Sequence, residues 1–154
     1  MSTQAIGAVA VGTAVVGGGG TLAAYAAGAF NGEAKYESFE DYVNKALKNK
    51  KQYSADSLTN EKIKQKLSTN TYKEELKKVV VKTGDSDPIT AEDVGKNPPD
   101  DNKLTKMVEK AKAWCTSKKP KKSIDGGKWT KVTIEKDADW APFEAVCLEP
   151  VPSS

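Results

Sequence analysis

The chain has 154 residues and a formal net charge of +3, from 24 basic and 21 acidic side chains with no histidine. Every basic residue is lysine, so imidazole acid–base or metal chemistry is excluded, as is bidentate guanidinium recognition of phosphate or guanine. The small positive charge argues against a dedicated nucleic-acid binder, and the length past the apolar N-terminus holds one modest core rather than two ordinary domains.

The first charged side chain is Glu33, and an apolar run, AIGAVAVGTAVVGGGGTLAAYAAGAF, precedes it from Ala5 to Phe30. A hydrocarbon core about 30 Å thick takes roughly 20 helical residues to cross, so this run is long enough to span. Residues 1–32 are expected to form an N-terminal hydrophobic membrane segment, a transmembrane helix serving as anchor. A cleaved signal is the competing reading. The A-x-A sites Ala24-Tyr25-Ala26 and Ala27-Gly28-Ala29 favour it, and the missing basic n-region opposes it, so removal of residues 1–29 stays open. The run is only modestly hydrophobic, and Gly17 to Gly20 could kink a helix there. Gly20, Ala24 and Gly28 share one helix face, a pattern nearly unavoidable in so Ala/Gly-rich a segment. A dinucleotide fold is set aside because the fingerprint spacing, a second strand and its terminal acid are missing. No cysteine lies near the end of the run, which excludes lipobox attachment. Orientation follows weakly from Lys35, Lys45, Lys48, Lys50 and Lys51, which favour a cytoplasmic domain. Glu33, Glu37, Glu40 and Asp41 interleave with them, and large domains translocate regardless of charge. The expected location is the plasma membrane with the domain outside.

Residues 33–154 read as a lysine-rich soluble domain. Ser38 opens an S-x-x-D cap ending at Asp41, and Phe39, Tyr42, Val43, Ala46 and Leu47 follow on one helical stripe. A second helix is expected from about Thr59 to Leu67, with Ile63 and Leu67 a turn apart. A third carries Tyr72, Leu76, Val79 and Val80, although Val79 to Val81 also suits a strand. A linker near 84–100 is marked by Gly84, Asp85, Asp87, Pro88, Gly95, Pro98 and Pro99, with one short helical turn after Thr90. Asp101 or Asn102 can cap the best-defined helix, whose apolar positions are Leu104, Met107, Val108, Ala111, Trp114 and Cys115. After a solvated loop from Ser117 to Ser123, Asp125-Gly126-Gly127 predicts a turn into a strand, Trp129 to Glu135, with Thr130, Val132 and Ile134 on one face. The ending is ambiguous: Trp140, Phe143 and Cys147 suit a helix, whereas Phe143, Ala145 and Cys147 suit alternation. Pro142 permits a helix start or an edge strand. The expected fold class is α-rich α+β: an N-terminal transmembrane helix, then a small, mainly helical soluble domain with a short C-terminal β element.

Cys115 and Cys147 both fall in apolar segments and form a candidate disulfide, which would stabilise by roughly 2–4 kcal/mol in an oxidising compartment. Two buried free thiols are the equally weighted alternative. Two cysteines without histidine fall short of a zinc ligand set, and cysteine catalysis lacks its usual partner. Trp114, Trp140 and Phe143 are expected to anchor the core. Lys118, Lys119, Lys121 and Lys122 flank Pro120 in a candidate basic patch for anionic lipid headgroups, host glycans or nucleic acid. A solvated loop is the simpler reading of the same lysines. Glu74-Glu75, Glu92-Asp93 and Asp100-Asp101 are better explained by helix surfaces and caps than by acid–base chemistry. Asp85 and Asp87 begin like a calcium loop, but its sixth position is Thr90 and its twelfth Lys96, which rejects an EF-hand. No N-x-[ST] sequon and no cofactor motif occurs.

The Ala/Gly/Val N-terminus ending in GGGGTLAAY, the lysine-rich helical middle, Ala113-Trp114-Cys115, and Trp140, Phe143 and Val146-Cys147 before Pro150 together resemble the short paralogous proteins of haemotropic mycoplasmas. Lysine abundance without arginine or histidine fits an AT-rich genome. The resemblance implies a membrane-associated or surface-displayed protein from an expanded, largely uncharacterised set, with an antigenic role and no catalytic residue. The leading expectation is a non-enzymatic surface module whose partner is the membrane together with a host surface component or another membrane protein. A cytoplasm-facing membrane scaffold is the alternative. An enzyme, the least favoured class, would need a pocket gathering carboxylates or lysines of perturbed pKa.

Overall fold

The computed structural model describes residues 33–153; the expected membrane segment, residues 1–32, lies outside them. Among the described residues no helix is long and apolar enough to cross a membrane. Helix α1 (Phe39–Ala46) begins as its sequence dictates, the Asp41 N–H donating to Ser38 Oγ at 3.1 Å. The Asp41 carboxylate reaches one residue further back than a capping box would take it, accepting from the Glu37 N–H at 3.0 Å. Phe39, Tyr42 and Val43 form the buried stripe. The chain then forms β1 (Lys51–Tyr53), a 3-10 turn (Ala55–Ser57) and α2 (Asn60–Lys66), which Thr59 caps by accepting from the Lys62 N–H. Helix α3 (Asn70–Val80) continues through the valines that also suited a strand. Val79 and Val80 follow Leu76 at i+3 and i+4, and all three are wholly buried, so helical packing overrides their β preference.

Residues 84–100 are not a free linker. Ile89 and Val94 enter the core, and α4 (Ala91–Gly95) is closed by a capping box between Thr90 and Asp93. Helix α5 (Asp101–Lys118) starts one residue earlier than expected. Its cap is Asp100, which accepts from the Asn102 and Lys103 N–H groups at 3.0 and 3.2 Å. The six apolar positions read from its period are all buried, and α5 packs against α2, α3 and the closing segment of the chain.

The expected strand from Trp129 to Glu135 does not form. Only Trp129 pairs in an extended manner, through an isolated antiparallel bridge to Tyr36 with both N–H···O distances at 2.8 Å. Thr130 then caps α6 (Lys131–Glu135) in a capping box with Thr133, which satisfies donors that a lone strand would leave unpaired. Ile134 is wholly buried and Val132 half-buried, so the β-branched alternation serves a one-turn helix instead. The chain ends with α7 (Trp140–Pro142), a π-helical turn (Phe143–Cys147) and β2 (Leu148–Pro150). Pro142 sits within the first turn, where its missing N–H costs little. Strand β2 pairs antiparallel with β1 in the register Lys51↔Pro150, Gln52↔Glu149 and Tyr53↔Leu148. The result is a mainly helical small domain with one short two-stranded sheet.

Candidate functional site

Most of the residues singled out from the sequence lie where α5 meets the C-terminal segment. Helix α5 presents Cys115 and the π-helical turn presents Cys147, each wholly buried, and the two are joined as a disulfide with Cα atoms 5.6 Å apart. This spacing lies inside the range a disulfide accepts without backbone movement. The bridge spans a sequence separation of 32 residues, so restriction of the unfolded chain stabilises by roughly 3–4 kcal/mol on the loop-entropy model. No cysteine of the described chain remains free.

Beside the bridge lies an aromatic cluster. Phe39 stands at its centre, with ring centroids 5.3 Å from Trp140, 5.2 Å from Phe143 and 5.7 Å from Trp129. Tyr42 meets Trp140 edge-on at 5.1 Å and donates its hydroxyl to Glu135 Oε1 at 2.8 Å, tying α1 to α6. Burial, with the Glu135 carboxylate beside it, pushes the Tyr42 hydroxyl well above its ordinary pKa. Trp140 and Phe143 thus belong to one cluster. Trp114 is buried separately on α5, with Lys118 Nζ 5.6 Å above its ring.

Three of the four lysines around Pro120 are engaged by carboxylates of the domain. Lys118 Nζ lies 2.6 Å from Asp139, and Lys121 Nζ bridges Asp137 and, at 2.8 Å, Asp139. Lys119 Nζ meets Glu40 at 3.2 Å and sits 4.3 Å above the Tyr53 ring. Lys122 alone of the four is exposed and makes no ion pair among the described residues. The backbone is engaged as well: the Lys119 carbonyl accepts from Glu40 N–H at 3.0 Å, and the Lys121 carbonyl accepts from Phe39 N–H and from Trp129 Nε1. This loop straps the start of α1 to the aromatic cluster. Burial would raise the Asp139 carboxyl, but the hydrogen bonds from Lys118 and Lys121 hold it below its ordinary value. Conversely, burial would lower the Lys121 ammonium, and Asp137 and Asp139 hold it above. Glu40, Asp137 and Asp139 complete the strap without being among the expected site residues. The D-A-D of residues 137–139, lying close after a lysine knot of matching charge, is the signal that would have found two of them.

Several of the other acids singled out from the sequence pair with lysines. Glu74 and Glu75 pair with Lys77 and Lys78 one turn on, at 2.7 and 2.8 Å. Asp85 and Asp87 pair with Lys110 and Lys106 of α5. Among the described residues no three acidic or cysteine side chains gather as a metal site. Comparison with family models, curated proteins and solved structures finds no match to this chain.

Proposed function

We propose that this chain is a membrane-anchored surface module, held by residues 1–32 with the disulfide-bonded domain outside, and that it acts by binding rather than by catalysis. The observation that carries the reading is the Cys115–Cys147 bridge. Such a bond persists in oxidising surroundings and is rare where glutathione and thioredoxin keep thiols reduced. The apolar run from Ala5 to Phe30 supports the anchor. The resemblance to the paralogous proteins of haemotropic mycoplasmas supports display at a cell surface, with a host component or another membrane protein as partner and an antigenic role. The cytoplasmic scaffold rests on the lysines following the apolar run. Glu33, Glu37, Glu40 and Asp41 interleave with those lysines and large domains translocate regardless of charge, which weakens that support.

Because both native cysteines are wholly buried, topology needs a separate reporter. Asn44, exposed on α1, provides one. In intact cells, Asn44→Cys should react with a membrane-impermeant maleimide as completely as in lysate. Protection of Asn44→Cys in intact cells, with full labelling after lysis, would favour the inward-facing scaffold instead.

A further inference from the structure

Most lysines of this domain meet a carboxylate, and three that do not share a cavity. Lys62 and Lys66 of α2 grip Glu149, each at 3.3 Å, and Lys77 and Lys78 of α3 hold Glu74 and Glu75. Lys64 on α2, Lys73 on α3 and Lys96 just past α4 make no ion pair among the described residues, yet all three line one concavity of about 420 Å³. No carboxylate lines it. That volume falls within the range of small-molecule sites, about 300–1,000 Å³. The cavity lined by Asp85, Asp87, Lys106 and Lys110 makes the contrast, because there the lysines and acids neutralise one another.

The local field strengthens the asymmetry. Helix α3 begins beside this cavity with no capping bond from the Thr69 side chain and no acid in its first turn, so the positive end of its dipole is not offset there. Asn97, another wall residue, has a side chain free of hydrogen bonds among the described residues and can donate to an oxygen. Leu67, buried, and Pro99, half-buried, supply an apolar side. Lysine suits this task as a compact charge with three donors on a flexible stem, which needs no fixed fork geometry. Three ammonium groups arriving from three elements can surround a tetrahedral oxyanion with charge-assisted hydrogen bonds.

We propose that the pocket formed by Lys64, Lys73, Lys96 and Asn97 binds a phosphate or sulfate group, free or as an ester carried on a sugar. The assignment is independent of which way the domain faces. The test is titration of the full chain in detergent with inorganic phosphate, inorganic sulfate and a heparin-derived tetrasaccharide, followed through the backbone amide resonances. Saturable shifts centred on Ser68, Lys73 and Asn97 are expected. Tighter binding of the tetrasaccharide assigns a sulfated glycan, and equal or tighter binding of the inorganic ions assigns a free anion. The triple variant Lys64→Gln/Lys73→Gln/Lys96→Gln should weaken binding at least about tenfold. Lys35→Gln/Lys122→Gln/Lys131→Gln, which removes the same charge elsewhere, should leave it within about twofold. Absence of saturable shifts with all three probes, or equal weakening by both triple variants, would overturn the assignment.

Discussion

Trp140 joins α7 to α1 through its contacts with Phe39 and Tyr42 and is 4 % exposed, so its side chain cannot be deleted without a cavity. Trp140→Ala should cost about 3–5 kcal/mol in urea denaturation. Trp114→Ala should also destabilise, but less, because that ring is more exposed, at 8 %, makes no aromatic pair among the described residues and lies under Lys118 at the edge of α5. Unchanged denaturation of both variants would contradict their role as anchors. Tyr72 has the opposite character. Its ring is buried, but its hydroxyl has no hydrogen-bond partner among the described residues, and burial pushes that hydroxyl well above its ordinary pKa. An unsatisfied buried hydroxyl costs about 1–3 kcal/mol, so Tyr72→Phe should leave stability unchanged or raise it. A clear loss in the same denaturation assay would show that the hydroxyl is paired in solution.

At the scale of elements, the lysine strap is one pH-sensitive part of the fold. The folded pKa of Asp139 lies below its unfolded value, so its contribution is present above the unfolded pKa near 3.8 and is lost as pH falls through the folded one. Glu149, held low by Lys66 and Lys62 against its burial, behaves in the same sense. Thermal melts should therefore show stability falling below about pH 4, and Asp139→Asn should flatten part of that dependence while lowering stability near neutrality. An unaltered acid profile in Asp139→Asn would separate the strap from acid unfolding. The strap also shows where local pattern stops being informative. Helices α1, α2 and α5 are legible because cap and apolar period lie within one short window, as Ser38 does with Phe39, Tyr42 and Val43, and α3 is legible from its apolar period alone. Thr130, Val132 and Ile134 satisfy period two over five residues, yet Thr130 and Ile134 also lie four apart, as a helix requires. A five-residue window cannot choose between those readings; the Thr130–Thr133 cap does. Of the counterions of Lys118, Lys119 and Lys121, Asp137 and Asp139 are marked only by the D-A-D that follows the knot, and Glu40 lies too far back along the chain for composition around Pro120 to reveal it.

Across the whole molecule, the C-terminal strand is brought back to the segment after α1 by a pairing that local sequence hardly advertises. KQY at 51–53 and LEP at 148–150 carry little strand signal, yet they form the only ladder between named strands among the described residues. The adjacent disulfide clamps the same region, for Cys147 immediately precedes β2 and its carbonyl accepts from Ser54 N–H at 2.9 Å. Reduction, or Cys115→Ser/Cys147→Ser, should cost roughly 3–4 kcal/mol in urea denaturation, the loop-entropy value for this spacing. The proposed outward location follows from the same bond, since a domain that depends on it is best kept where thiols are oxidised. The most direct test is the redox state of Cys115 and Cys147 in living cells. Acid quenching, alkylation in denaturant, reduction and a second alkylation with a mass-tagged maleimide would record it. Both cysteines should carry only the second label; both carrying the first would show reduced thiols in the cell and contradict the outward, oxidised location.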